Sequence, residues 1–357
     1  MSIQVNDPFN VASDPQMPSL ALALDPTEVQ REFTSRRLAR LAGEHGFIQP
    51  QAIRVTRYKP ERRCVIEYDV LVERPQTRVE EVTLIGKVRA KRFGKSGYHL
   101  LSAIWDAGFA ADSRDGISVP EPLGTISKFR MWLQRKVPGR VATDLLAGPR
   151  ATTLSKRIAE TAHKLHRAGI ATERRHTMAD ELRILRECLS SVTRAAPALE
   201  GRIARLLDKC ERVGAATPNV VVCSIHRDFY ADQIMVDGSR LYLIDFDLYC
   251  EGDPGLDVGN FLGHITEQSL RTLGDPSALS DVERELEERF VELEGASTRT
   301  AVQTYAKLTL ARHIYLSTLF LERRPYTKDL LELCEERLDI GGYSGRKVTL
   351  GGTLAKA

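Results

Sequence analysis

A change of hydrophobic period near residue 138 constrains this chain more than any other feature. Between residues 53 and 89 apolar and polar side chains alternate, as in Ile53-Arg54-Val55-Thr56-Arg57-Tyr58 and in the runs 64–72 and 79–88. A period of two, rich in β-branched residues, belongs to half-buried strands, so the three runs predict an antiparallel meander. A helix over 96–107 closed by Gly108, then strands near 119–123 and 129–137, should follow. Beyond Pro138-Gly139 the period becomes helical. Leu154, Ile158, Ala162 and Leu165 share one face of a segment over 151–168 that ends at Gly169. Residues 178–213 predict two helices broken near Pro197, and the chain from Asp257 to about Leu338 again reads as helix. Short strands are expected between them at 220–223, 234–236 and 241–244. The pattern predicts an α+β protein with a strand-rich half followed by a helix-rich half.

At 357 residues the chain is long enough for two packed lobes. Residues 1–27 carry Pro, Asp, Ser and Asn without a clear period and predict an extended or loosely docked arm, followed by an amphipathic helix over 28–43. The expected division is 1–45 for this arm and helix, 46–137 for a strand-rich lobe, 138–344 for a helical lobe and 345–357 for a tail. The six cysteines form no C-x-x-C pair, which argues against a disulfide framework or thiolate metal site and for a reducing cytoplasm. The longest apolar runs, 20–24 and 220–223, are far too short to span a bilayer, so no membrane association is expected. A net charge of +3 is too small to make nucleic acid the expected partner. That charge is unevenly spread: residues 54–95 hold roughly twice as many basic as acidic side chains, and 267–294 are strongly acidic. A basic first half suits a triphosphate.

The densest chemistry lies between His226 and Asp247. Asp237-Gly238 is a turn signal between two short apolar runs, so 234–236 and 241–244 should pair as a hairpin. Closing it brings Gln233 and Asp245 to the same open end, with Asp228 on the loop leading in. Such a cluster suits phosphoryl transfer, whose transition state needs alignment and charge neutralisation more than covalent help from the protein. Hard carboxylate and amide oxygens suit Mg²⁺, and Asp228 would orient and deprotonate an acceptor hydroxyl.

Residues 225–247, continued by Gly252-Asp253-Pro254-Gly255-Leu256-Asp257-Val258-Gly259-Asn260-Phe261-Leu262, resemble the aminoglycoside phosphotransferase and choline kinase family, small-molecule relatives of the protein kinases. The resemblance is strongest over 225–265 and ordered but weaker from 53 to 169. It implies a bilobal protein-kinase-like fold, ATP or GTP with Mg²⁺ as cofactors, and a small-molecule hydroxyl as acceptor. It also implies roles: Asp228 as catalytic base, Gln233 and Asp245 as metal ligands, His226 as a brace of the loop, and Asp257 as the acceptor of hydrogen bonds that hold that loop. Lys87, in Thr83-Leu84-Ile85-Gly86-Lys87-Val88, matches the strand lysine that holds the α- and β-phosphates. Arg62 and Arg63 stand where a phosphate-covering loop is expected, and 132–137, with Gln134 and Val137, resembles the strand entering an adenine-binding hinge. His166 falls on the family's core helix, in a packing role. Four departures are visible: Gln233 stands where most relatives have asparagine, Arg227 replaces a common glycine, the turn 58–63 holds no glycine, and 96–107 shows no glutamate, Tyr98 and His99 lying near its place.

The leading expectation is a cytoplasmic kinase acting on an aminoglycoside, sugar or amino alcohol held by the helical lobe. A protein kinase is disfavoured, because only about ten residues separate Asp247 from Asp257, too few for a peptide-docking activation segment. The same departures motivate a third expectation, a catalytically idle nucleotide-binding regulator.

Overall fold

The computed structural model describes residues 3–34, 38–43, 46–75, 78–90, 95–218 and 220–340. In chain order it contains β1 (Gln4–Asn6), α1 (Ser19–Leu24), α2 (Pro26–Thr34), α3 (Ala39–Ala42), β2 (Phe47–Lys59), β3 (Arg63–Glu73), β4 (Glu80–Arg89) and α4 (Lys95–Ile104). There follow β5 (Ile117–Ser118), β6 (Pro122–Ile126), β7 (Met131–Arg135), β8 (Arg140–Val141), α5 (Ala151–Arg167), α6 (Met178–Ala195) and α7 (Glu200–Ala216). The last third holds β9 (Cys223–Ile225), β10 (Ile234–Asp237), β11 (Arg240–Leu243), β12 (Cys250–Gly252), α8 (Pro254–Gln268), α9 (Ser280–Glu294), α10 (Arg299–Leu319) and α11 (Thr327–Arg337). The α+β class, strands early and helices late, is as expected. Contacts divide the chain into two compact units, Met1–Asp144 with Asp232–Leu248, and Leu145–Ala231 with Tyr249–Ala357.

The first unit contains a six-stranded sheet in the order β1-β2-β3-β4-β7-β6. Its centre is the expected meander, and burial alternates along β3 and β4 as the sequence alternates: Cys64, Ile66, Tyr68, Val82, Leu84 and Val88 face the core. The N-terminal segment is a correction to the expectation of a loose arm. Its strand β1 pairs with β2 in parallel, and Val11, Met17, Leu20, Ala23 and Leu24 are buried in the core under the sheet. The apolar spacing 17, 20, 23, 24 supplies one helical face, and the Tyr68 hydroxyl, inside that core, donates to the Ala23 carbonyl at 2.9 Å. Strand β2 also begins six residues before the expected one, at Phe47.

The predicted hairpin forms, with Ile234 opposite Leu243 and Asp237 opposite Arg240. Its loop is therefore Gly238-Ser239, one residue later than the turn read from the sequence, and Gly238 takes the left-handed φ of 58° that the tight turn requires. Strand β8 adds to one edge and β5 to the other, making a four-stranded sheet β5-β11-β10-β8. This pairing groups the hairpin with the N-terminal unit, although it follows α7 in the chain.

Among its described residues the second unit has one strand pair, β9–β12, and is otherwise built of helices and their connections. The expected strand at 220–223 is displaced to Cys223–Ile225, and Val221 is 90% exposed. Helices α6 and α7 are separated at Pro197 as expected. Helix α10 buries Val302, Tyr305, Leu308, Ala311 and Ile314. Against it α8 presents Gly255, Gly259 and Gly263, spaced by four and so on one face. A Cβ at Gly259 would lie 2.5 Å from Tyr305 Cβ and 2.6 Å from the Val302 carbonyl oxygen, so only glycine permits this backbone approach. Gly259→Ala is expected to cost about 1–3 kcal/mol through overpacking, read as a lower urea midpoint. Gly201→Ala in α7, where only the flexible Arg205 guanidinium comes within 4 Å, should cost nothing.

Candidate active site

In the second unit the chain leaves β9 through Ile225 and passes through His226-Arg227-Asp228-Phe229 before returning in β12. This loop is tied to the first turn of α8. Asp257 is fully buried there; its Oδ2 accepts from the His226 N–H at 2.8 Å and its Oδ1 from the Arg227 N–H at 2.7 Å. Placement in the first turn also sets the carboxylate at the positive end of the helix dipole. Arg227 has φ 68°, a left-handed conformation that costs a non-glycine residue on the order of 1–3 kcal/mol. A glycine at this position would adopt the same backbone without that cost. The predicted role of Asp257 as loop holder thus has a definite geometry, and the half-buried Asp228 follows directly on the strained residue.

His166, expected only to pack, is instead part of this anchor. From α5 its Nε2 lies 2.9 Å from Asp257 Oδ2, and its Nδ1 lies 3.4 Å from Glu294 Oε1 on α9. Burial alone would lower its pKa, but the bonds to Asp257 and Glu294 outweigh it and raise the value to about 9. Burial likewise would raise Glu294, but the bonds from His166 and His163 hold its carboxyl below the usual range. A second tie went unread in the sequence: Asn260 Nδ2 donates to the Phe229 carbonyl at 3.0 Å, while its Oδ1 accepts from Arg312 at 2.7 Å. The spacing of Asp257 and Asn260, one helical turn apart, was the available signal. His226 is fully buried, its ring edge-on to Phe229 at 6.1 Å.

In the first unit the hairpin closes at its open end through Ile244 N–H to the Gln233 carbonyl, 2.9 Å. Gln233 and Asp245 therefore both sit at that open end. Gln233 is buried, and Asp245 has φ 64°, a second strained non-glycine position. On β4 the residues 83, 85, 87 and 89 share the half-buried face, so Lys87 points away from the core. Its Nζ lies 3.6 Å from Asp245 Oδ1 and 5.1 Å from the centroid of Trp132, its register partner on β7. Helix α4 carries no acidic residue and packs its Gly97 against Trp132, so the lysine is held by a carboxylate and an indole instead of a helix glutamate. A small cavity is lined by Lys87, Gly97, Trp132, Gln134, Asp245 and Asp247. Gln134 is buried in β7 opposite Ile85. Val137 lies beyond that strand, just after Lys136, whose N–H donates to the Thr83 carbonyl.

The glycine-free turn after β2 places Glu61 at φ 57°. Its N–H donates to Asp14 Oδ2 at 3.2 Å, and the same oxygen accepts from the Tyr58 hydroxyl at 2.7 Å. The docked N-terminal segment thereby fixes the turn. Arg62 is exposed on it, whereas Arg63 reaches Asp247 at 3.3 Å. No trio of His, Cys, Asp or Glu forms a metal cluster among the described residues. Asp245 with the Gln233 amide remains a fitting donor set for Mg²⁺, which takes one or two protein oxygens and keeps water and phosphate for the rest. No described helix is long and apolar enough to cross a membrane.

The His166 ion pairs predict a pH dependence. A pKa raised from 6.5 to about 9 on folding contributes about 3 kcal/mol. This contribution is complete below pH 6.5 and is lost as pH rises through 9. In urea unfolding, the stability gap between the wild type and His166→Gln should be widest at pH 6 and shrink steadily to pH 9.5; a pH-independent gap would contradict the charged assignment.

Comparison with known proteins follows the same lines. The model of the phosphotransferase enzyme family matches residues 103–293. No curated protein sequence matches significantly. Among solved structures, a choline/ethanolamine kinase family protein from Mesorhizobium loti is 15% identical, with 88% of this chain and 95% of that chain covered and a TM-score of 0.56. A thermostable mutant of aminoglycoside phosphotransferase APH(4)-Ia, in ternary complex with AMP-PNP and hygromycin B, gives 15%, 89%, 100% and 0.56. A glucosamine kinase gives 14%, 87%, 99% and 0.52. At these identities the structures speak for a shared fold, whereas the family model spans more than half of the sequence, around the anchored loop and the hairpin: the chain belongs to the phosphotransferase enzyme family.

Proposed function

We propose that this phosphotransferase moves the γ-phosphoryl group of ATP or GTP to a hydroxyl of a small molecule, with Asp228 as the base. The observation that carries the reading is the anchoring of the Asp228 loop. Two successive backbone amides, those of His226 and Arg227, are held by one buried carboxylate that is itself paired with His166. A base must be positioned before it can be useful. In the proposed reaction the acceptor oxygen bonds to the γ-phosphorus, the bond from phosphorus to the nucleoside diphosphate breaks, and Asp228 takes the hydroxyl proton. Lys87 would hold the α- and β-phosphates, the strand residue Gln134 and the connector residue Val137 would border the base, and Asp245 with Gln233 would hold Mg²⁺. Bound there, the ion would supply charge neutralisation on the phosphates. The substrates in the names of structurally similar proteins, an aminoglycoside, glucosamine and choline or ethanolamine, support an acceptor among aminoglycosides, sugars and amino alcohols.

One observation favours the idle nucleotide-binding reading: α4 offers Lys87 no carboxylate, and Asp245 itself takes that role. The two readings diverge in a single experiment. With Mg-ATP and a panel of sugars, aminoglycosides and amino alcohols, the wild type should turn over at least one acceptor. Asp228→Asn should reduce kcat by roughly 10²–10⁴ while nucleotide affinity by calorimetry stays unchanged. Undiminished turnover in the variant would remove Asp228 from the chemistry. A nucleotide-induced rise in Tm that ignores Mg²⁺, with no turnover of any acceptor, would favour the idle module.

A further inference from the structure

Arg63 and Arg89 are direct register partners on β3 and β4, so two guanidinium groups project side by side from one face of the sheet. It is the face that carries Lys87, two residues before Arg89 on the same strand. Like charges directly opposite each other on neighbouring strands repel, and neither arginine is needed for the core, which lies on the other face with Cys64 and Val88. Among the described residues one carboxylate, that of Asp247, holds the pair. Asp247 Oδ2 lies 3.3 Å from Arg63 Nη1, and its Oδ1 pairs with Arg89 Nη2. The row thus contains three cations, Lys87, Arg63 and Arg89, facing two carboxylates, Asp245 and Asp247, which leaves one positive charge uncompensated within it.

Each guanidinium presents five donors in a planar fork, and a carboxylate shared between two of them engages only a few. The side chains remain 42% and 40% exposed, so further oxygens can reach them. The geometry of the adjoining turn adds a reason for such a row. Residues 58–63 contain no glycine, and Glu61 occupies the left-handed position with its N–H already given to Asp14. That turn therefore lacks the bare backbone donors that a glycine-rich loop brings close to phosphate.

We infer that Arg63 and Arg89 extend Lys87 into a row of phosphate ligands for a nucleoside di- or triphosphate, oriented by the carboxylate of Asp247. Fork-shaped donors on two neighbouring strands then do by charge what close backbone approach cannot do here. The inference rests on the nucleotide-dependent reading proposed above, and adds Arg89 and Asp247 to it while assigning Arg63, not Arg62, to the phosphates.

Calorimetric titration with AMP-PNP and with adenosine, in the presence of MgCl₂, tests it on Arg63→Gln, Arg89→Gln and the double variant, with Arg31→Gln as a control for loss of an exposed charge. Each removed guanidinium should weaken AMP-PNP binding roughly tenfold, the expectation for a hydrogen bond to a charged group. Adenosine binding should be unchanged in all variants, and Arg31→Gln should bind both as the wild type does. Arg89→Lys, which keeps the charge and loses the fork, should fall between Arg89→Gln and wild type. Unchanged AMP-PNP affinity in the double variant, or equal losses for AMP-PNP and adenosine, would overturn the assignment. A wild type that binds no nucleotide would instead bring down the nucleotide reading itself, so the two failures are distinct.

Discussion

Everything proposed for catalysis depends on one buried carboxylate. Asp257 has no exposure to solvent, and burying an ion is costly unless its oxygens are satisfied. They are: two backbone amides of the loop and the ring of His166 converge on it, and His166 is balanced in turn by Glu294. Removing any one partner leaves the others uncompensated in a low-dielectric interior, so the arrangement is strongly self-reinforcing. The same interactions offset the left-handed backbone at Arg227 and so fix the direction in which the chain enters Asp228.

A parallel logic holds in the first unit. There the constraint is the hairpin, whose strands are completed on both edges by short segments far away in the chain, β5 and β8. With its register fixed, Asp245 is held at φ 64° beside the end of β4, where Lys87 meets it. Arg227 and Asp245, both at left-handed φ, belong to different compact units; within its own unit the Arg227 amide is held by Asp257 and the Asp245 carboxylate is paired with Lys87. Strain of this kind persists only where the surroundings over-determine the backbone.

The charge asymmetry of the sequence acquires a structural meaning in the strand-rich unit. Many of its basic residues are already engaged: Arg54 with Glu67 and Asp69, Arg135 with Glu80 and Glu121, Lys136 with Glu67. The cations gathered at the end of β4 differ from these, because three of them share two carboxylates. Net charge alone gave no hint of this difference; cross-strand register did.

Local pattern by itself determined the α+β class, the meander, the break at Pro197 and the hairpin with Gln233 and Asp245 at its open end. Each follows from a period or turn signal acting over a few residues, and such signals survive in one dimension. The docking of residues 4–24 was not legible, since the Pro, Asp and Ser residues that punctuate that segment conceal the spacing of Met17, Leu20 and Leu24, and burial under a distant sheet leaves no local mark. Nor were the partners of Lys87, His166 and Asn260, or the sharing of Asp247 by Arg63 and Arg89. Those contacts join residues tens to nearly two hundred positions apart, and which polar group ends beside which is decided when the packing of helices and strands sets their register in three dimensions.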